Sequence, residues 1–544
     1  MYPRGLSASR GWTTPALLAI FCSAGLHFAI GGQPVRFPFE NTPEAAANAE
    51  GSPSHSSTSK IDEFVFGRLK KMGIQPANPC SDEVFVRRVY LDVTGSIPTA
   101  DEAAAFIADN DPRKRAQLID RLLDSDGFTD YLGLKWCDVL RVKSEFPVNL
   151  WPEAAQAYDH WVRAALRRNT PYSLFATELL TASGSNFRVP PVNFYRSAGG
   201  RDRMTLARAV ALAFMGERIE AWPKEKQEAM AVFFSQVGFK STNEWKEEIV
   251  FYNGITDSAD APKQATLPDG AVVALPPGKD PRAIFANWLV TSKNSPFARN
   301  GVNRTWYWLF GRGIINDPDD CRPDNPPSNP ELLEWLAQEL AASNYDIKHI
   351  YRLILNSNTY QLSCIPASSD PRAAANFAYY PLHRVEAEAL IDAIDQITGS
   401  NEEYSSMTPE PYTFIPPDKR TIDLPDGSIG SAFLDLFGRP PRDTGLVSER
   451  NGHVTAGQRL HLLNSSAIQA KLARSTKLRD LMRTAPTPAD AVARLYLTIL
   501  SRTPTPDELK AIKTYSLTSE AKGQAVLLDV AWALINSSEF LYHH

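Results

Sequence analysis

The sequence predicts a mainly α-helical protein. Two helical units are joined by a small β-containing bridge and follow a signal peptide and a flexible tether. Three observations predict this. Apolar residues recur at helical spacing behind capping residues over most of the chain beyond residue 60. The stretch 251–280 carries strand and hairpin signals instead. The 544 residues also exceed the roughly 300 that a single core usually spans.

Residues 1–32 have the order of a secretory signal: Arg4 and Arg10, an apolar run from Pro15 to Ile30, then Gly31 and Gly32. A retained anchor is the alternative. Ser23 and His27 interrupt the run, however, and a bilayer needs roughly 20 apolar residues. Cleavage would leave a periplasmic or extracellular chain with no integral membrane segment. Residues 33–59, including GSPSHSSTS, lack periodicity and read as the tether.

The first unit is expected over 60–250. Ile61, Phe64, Leu69 and Met72 share one helix face. Ser81 caps the next helix, with Asp82 and Glu83 in its first turn, where negative charge is favoured. Thr99 and Glu102 form a capping box. Leu118, Leu122 and Leu123 make an apolar stripe, and Pro152 suits the first turn of a further helix. MTLARAVALAFMGERI and KEKQEAMAVFFSQVGF read as helices. EEIVFYNG then reads as a strand, and ATLPDGAVVALPPG as a hairpin around Asp269 and Gly270. The second unit, 281–544, is helical again. Asn329 or Ser328 caps the helix from Pro330, and the terminal FLYHH continues a helix.

The formal net charge of −5 offers no steering toward nucleic acid, and no RNP-like aromatics, zinc-finger spacing or long basic tract is present. Cys22 falls in the leader. Cys80, Cys137, Cys321 and Cys364 allow three complete pairings or free buried thiols, and the sequence does not choose. There is no G-x-S-x-G or H-E-x-x-H, so no nucleophile elbow and no metal set is assigned.

Candidate residues come from three segments. HRVEAEALIDAI gathers His383, Arg384, Glu386, Glu388 and Asp392. Read as one helix, it puts Arg384, Glu388 and Asp392 on a shared face. Paired carboxylates there divide general-acid and general-base work if their environments differ, so Glu388, Asp392 and His383 are the catalytic candidates. The competing reading is an ion-pair network between helices. In NRTWYWLFGR, Arg304 is a candidate for holding a carboxylate or sulfate, and Trp306 with Trp308 for a sugar-stacking platform. Core packing is the alternative. Arg439 and Arg442 of FGRPPRDTG are candidates for an anionic ligand or for pairing with acidic helices. Asp317, Asp319, Asp320 and Asp324 offer oxygen ligands suited to calcium, but not at EF-hand spacing, which favours turn and capping duty.

These motifs also resemble a family. RRVYLDVTGSIPTADE, with Arg87, Arg88, Asp92, Gly95 and Pro98, is similar to a signature of DUF1549 proteins. NSPFARNGVNRTWYWLFGRGI, PSNPELLEWLA, IKHIYRLILNSNTYQLS, HRVEAEALIDAI, FGRPPR and INSSEFLY are similar to DUF1553. The pair resembles secreted planctomycete-type proteins. Many such relatives carry a CxxCH segment after a stretch like FMGERIE, which implies haem-linked electron transfer. Here FMGERIEAWPKEKQEAMAVFF runs on without those residues, so no c-type haem is expected. The expected function is binding of a glycan or a secreted partner protein. A polysaccharide-active or redox enzyme with its site between the units is the alternative.

Overall fold

The computed structural model describes residues 59–254, 262–293, 296–408, 411–413, 415–416 and 418–544. The expected leader, and the tether apart from Ser59, lie outside the described residues. The protein is mainly helical, 55% helix against 5% strand. Among the described residues no helix is long and apolar enough to cross a membrane.

Local chemistry sets the helix starts. The Ser81 side chain accepts the Val84 N–H at the head of Asp82–Thr94, and Thr99 with Glu102 closes a capping box on Ala100–Ala108. Asn329, rather than Ser328, accepts from Leu332 at the head of Pro330–Ala342. Gly95, in the left-handed region at φ 59°, ends Asp82–Thr94. A Cβ there would lie 2.4 Å from the Tyr131 ring, so this turn tolerates no side chain.

The strands depart from the sequence reading. EEIVFYNG does hold a strand, β3 (Glu248–Tyr252), but its partners are β1 (Gly184–Ser185) and β2 (Val237–Ser241), antiparallel in the order β1–β3–β2. β2 begins inside KEKQEAMAVFFSQVGF, whose helical character stops at Phe234. The strand-bearing region is therefore anchored in the first unit and is not only a bridge. The hairpin is formed as β4 (Gln264–Thr266) and β5 (Val272–Ala274), and Trp288 Nε1 donates to Asp269 Oδ2 at 2.9 Å. β6 (His383–Arg384) pairs antiparallel with β7 (Tyr542–His543), matching His383 with His543.

Two large apolar cores result. One gathers residues from Ile61 to Tyr380, so it runs through the first unit, the hairpin and the first helices of the second unit. The other gathers Val385 to Phe540 and takes Leu91 and Ile97 from the first unit. The packing thus divides close to β6 rather than at the bridge.

Candidate functional site

A cavity of about 330 Å³ opens where the helix Asp126–Val139 faces β6, the start of the helix Ala387–Thr398 and the loop 437–453. Tyr131, Lys135 and Asp138 recur at helical spacing and point across this junction. β6 and β7 supply His383, Arg384 and Tyr542. The helix Phe297–Phe310 supplies Tyr307 and Trp308 near its end.

Beneath the cavity runs a line of buried ionisable groups. Glu386 pairs with Lys135, accepts the Tyr131 hydroxyl at 2.7 Å, and lies 3.6 Å from His543 Nε2. His543 Nδ1 meets Asp92 Oδ1 at 2.6 Å, and Asp92 Oδ2 accepts the hydroxyls of Tyr360 at 2.6 Å and Tyr380 at 2.9 Å. Burial pulls His543 down, but the Asp92 and Glu386 carboxylates prevail and raise it to about 9, so it is an imidazolium. Burial would raise Glu386, yet Lys135, His543 and Arg450 hold it well below the usual carboxylate range.

The His383 ring stacks on His543 with centroids 4.3 Å apart and planes at 14°. Burial, then the positive charge of His543, lowers His383 to about 4, so it is neutral. Its Nδ1 donates to the Pro381 carbonyl at 3.1 Å, which leaves Nε2 without a proton. Two adjacent imidazoles therefore sit in opposite protonation states. Asp92, His383 and His543 are the one group among the described residues whose donor atoms gather closely enough to suggest a metal. Stacked parallel rings do not aim their in-plane lone pairs at a common ion, and Asp92 already holds His543 through a proton.

A second network forms the back wall. Arg450 donates to both Glu388 oxygens, at 2.7 and 3.1 Å, and to Asp138 at 2.7 Å. Arg442 donates to Asp138 at 2.9 Å, and Arg439 Nε lies 3.5 Å from Glu388. Burial opposes ionisation of Glu388, but Arg450 and Arg439 lower it to about 2.

Of the residues singled out from sequence, His383, Arg384, Glu386 and Trp308 line the cavity. Arg384 is not on a helix with Glu388. It lies in β6, and the helix begins only at Ala387. Glu388 is fully buried behind the cavity. Asp392 faces elsewhere and accepts the backbone N–H groups of Thr421 and Ile422 at 2.7 and 3.1 Å. Burial outweighs those bonds and raises it to about 6. Glu388 and Asp392 therefore do not form an acid–base pair.

Arg304 is fully buried, with its Nη2 2.7 Å from Asp319 and 2.8 Å from the Leu212 carbonyl. Trp306 is also fully buried, stacked on Phe310 at 4.5 Å, so the two tryptophans form no shared platform. Arg439 and Arg442 are structural, each donating to backbone carbonyls as well as facing a carboxylate. The loop aspartates pair with arginines: Asp317 with Arg218, Asp319 with Arg304, Asp320 and Asp324 with Arg322. Cys80 and Cys137 are free and buried, Cys321 is free and half-buried, and Cys364 is buried.

Sequence reasoning passed over Lys135, Asp138, His543 and Arg450. A usable signal was Lys135 and Asp138 in the otherwise apolar second half of their helix, Tyr131 to Val139, where a charge needs a partner. Nothing local marked Arg450.

Family models match twice: a protein of unknown function, DUF1549, over residues 60–256, and a protein of unknown function, DUF1553, over residues 281–516. No curated protein and no solved structure matches the chain. Lys135, Asp138 and Val139 come from the first matched region, Tyr542 lies beyond both, and the remaining cavity residues fall in the second, so the site needs both. The chain belongs to the proteins that join a DUF1549 domain to a DUF1553 domain.

Proposed function

We propose that this is an exported envelope protein that binds a glycan in the cleft between its two domains. One observation carries the reading: the cavity, at about 330 Å³, combines aromatic surface from Tyr307, Trp308 and Tyr542 with the polar groups of Arg384, Glu386 and Asn451. Sugar rings offer an apolar face for aromatic side chains and hydroxyls for charged ones, and ligand cavities are commonly ~300–1,000 Å³. Export rests on the order of residues 1–32, and a mature chain beginning near residue 33 is its test.

The binding test is retention of the full chain on a glycan array, compared with Gly452→Trp. Gly452 borders the cavity, and a Cβ there meets nothing within 4 Å, so a large ring fills the mouth without disturbing the fold. Retention should be lost at unchanged thermal stability. Equal retention by both proteins contradicts the reading.

An enzyme acting on polysaccharide in the same cleft is the second reading. It is favoured by the line Glu386–His543–Asp92 with neutral His383 beside it, because pKa values pushed apart are how acid and base roles are assigned. Released sugar ends from a bound polysaccharide, absent in Glu386→Gln, would establish it.

A further inference from the structure

A second cavity of about 340 Å³ adjoins the cleft, and Val139 and Leu446 belong to both walls. The rib between the two is segment 443–447. It is held by the Lys143–Asp443 pair at 2.6 Å and by the Val447 N–H donating to Asp319 at 2.6 Å.

Most cations in these walls are already engaged. Lys135 pairs with Glu386, Arg450 with Glu388 and Asp138, Arg208 with Glu220 at 3.2 Å, and Arg218 with Asp317 at 3.0 Å. Arg384 and Arg141, one in each wall, have no carboxylate of a described residue within ion-pair distance. Arg384 spends Nη2 on the carbonyls of Phe437 and Asn451, at 2.5 and 2.7 Å, which fixes its guanidinium; its Nε and Nη1 lack partners.

The Arg141 guanidinium forms no hydrogen bond with a described residue, and its Nε is buried. Its position is set by close approach to backbone. A Cβ on Gly199 would lie 3.3 Å from Arg141 Nη2, and one on Gly445 would lie 3.1 Å from Arg141 Cγ. Both glycines have positive φ, 86° and 76°, so side chains are disfavoured there on two grounds. Burial makes both guanidinium groups less basic and outweighs the more distant carboxylates, Glu449 and Asp443 at Arg141 and Glu386 at Arg384, where the like charge of Arg450 adds to the lowering. A desolvated guanidinium lacking an acceptor is costly, and an oxyanion is the acceptor that relieves it.

We propose, resting on the glycan reading, that the ligand is a linear acidic oligosaccharide lying across both cavities. One uronate carboxylate or sulfate ester meets Arg384 and another meets Arg141.

Calorimetric titration of the full chain tests this with tetragalacturonate, its fully methyl-esterified form and a sulfated galactan tetrasaccharide. The ester keeps the shape and removes the charge, so no protein variant is needed to ask whether charge is read. At least one charged tetrasaccharide should bind at least about tenfold tighter than the ester. Arg384→Gln and Arg141→Gln should each weaken it about tenfold, with Arg384→Lys recovering part of the loss. Binding of the sulfated sugar alone, or of the uronate alone, supports the proposal and identifies the anion. Equal binding of the ester, or unchanged affinity in both glutamine variants, overturns it while leaving the glycan reading intact. Absence of binding by charged and neutral sugars alike removes the glycan reading and this proposal with it.

Discussion

At the residue scale, Glu388 and His543 carry opposite electrostatic duties. Glu388 is fully buried, and its ionised form is what makes burial of Arg450 and Arg439 tolerable. Glu388→Gln leaves those guanidinium groups short of a charge, and breaking a buried pair in this way costs about 3–5 kcal/mol. Urea denaturation should show that loss; an unchanged midpoint would mean that Asp138 alone suffices for Arg450. His543 is raised from an ordinary 6.5 to about 9, so the folded state binds its proton more tightly than the unfolded chain does. Its stabilisation is complete below about pH 6.5 and is lost as pH rises through 9. His383, lowered to about 4, acts in the opposite sense: its neutral form stabilises above about 6.5, and that contribution is lost as pH falls toward 4. Imidazole nitrogen chemical shifts should therefore show one ring titrating near 9 and another neutral down to about 4. Two ordinary titrations near 6.5 would contradict the stacked pair.

At the element scale, the short strand β7 matters beyond its length. Arg88 donates from Nε to the His544 carbonyl at 2.7 Å and from Nη1 to the Tyr360 and Leu362 carbonyls, while Arg87 donates to those of Ile499 and Phe540. The RRVYLD segment thus ties the last strand to the first domain and aims Asp92 at His543. Deleting residues 542–544 removes the β6 partner and leaves Asp92 and Glu386 without the imidazolium. A loss of several kcal/mol in unfolding free energy is expected, about 3–5 from the broken buried pair alone. A deletion variant with wild-type stability would contradict this. Capping residues and the hairpin turn were legible in the sequence because their chemistry is local: Ser81, Thr99 with Glu102, and Gly270 each act within four residues. The β6–β7 pairing was not legible. Two-residue strands have no periodicity to detect, and their partners lie far apart in the chain.

At the scale of the whole molecule, the two matched regions are not independent bodies. The first apolar core passes from residues of the DUF1549 region to Leu355 and Tyr380 of the DUF1553 region, and Leu91 and Ile97 cross in the other direction. Fragments 60–280 and 281–544 made separately should therefore expose apolar surface, bind a hydrophobic dye and fail to show a cooperative transition; a sharp transition in either would contradict the shared core. The candidate site was legible only in part for a related reason. His383, Arg384, Glu386 and Trp308 were found because their segments are dense in chemistry-bearing residues. The partners that give them meaning, Lys135, Asp138, His543 and Arg450, arrive from other segments, and spacing along one helix does not report that.

The most direct measurement is a crystal structure of the full chain soaked with an oligosaccharide that it retains. The account predicts sugar density between Trp308 and Arg384, within the junction of the two domains. Density on another face, with this cavity holding only water at saturating ligand, would contradict it.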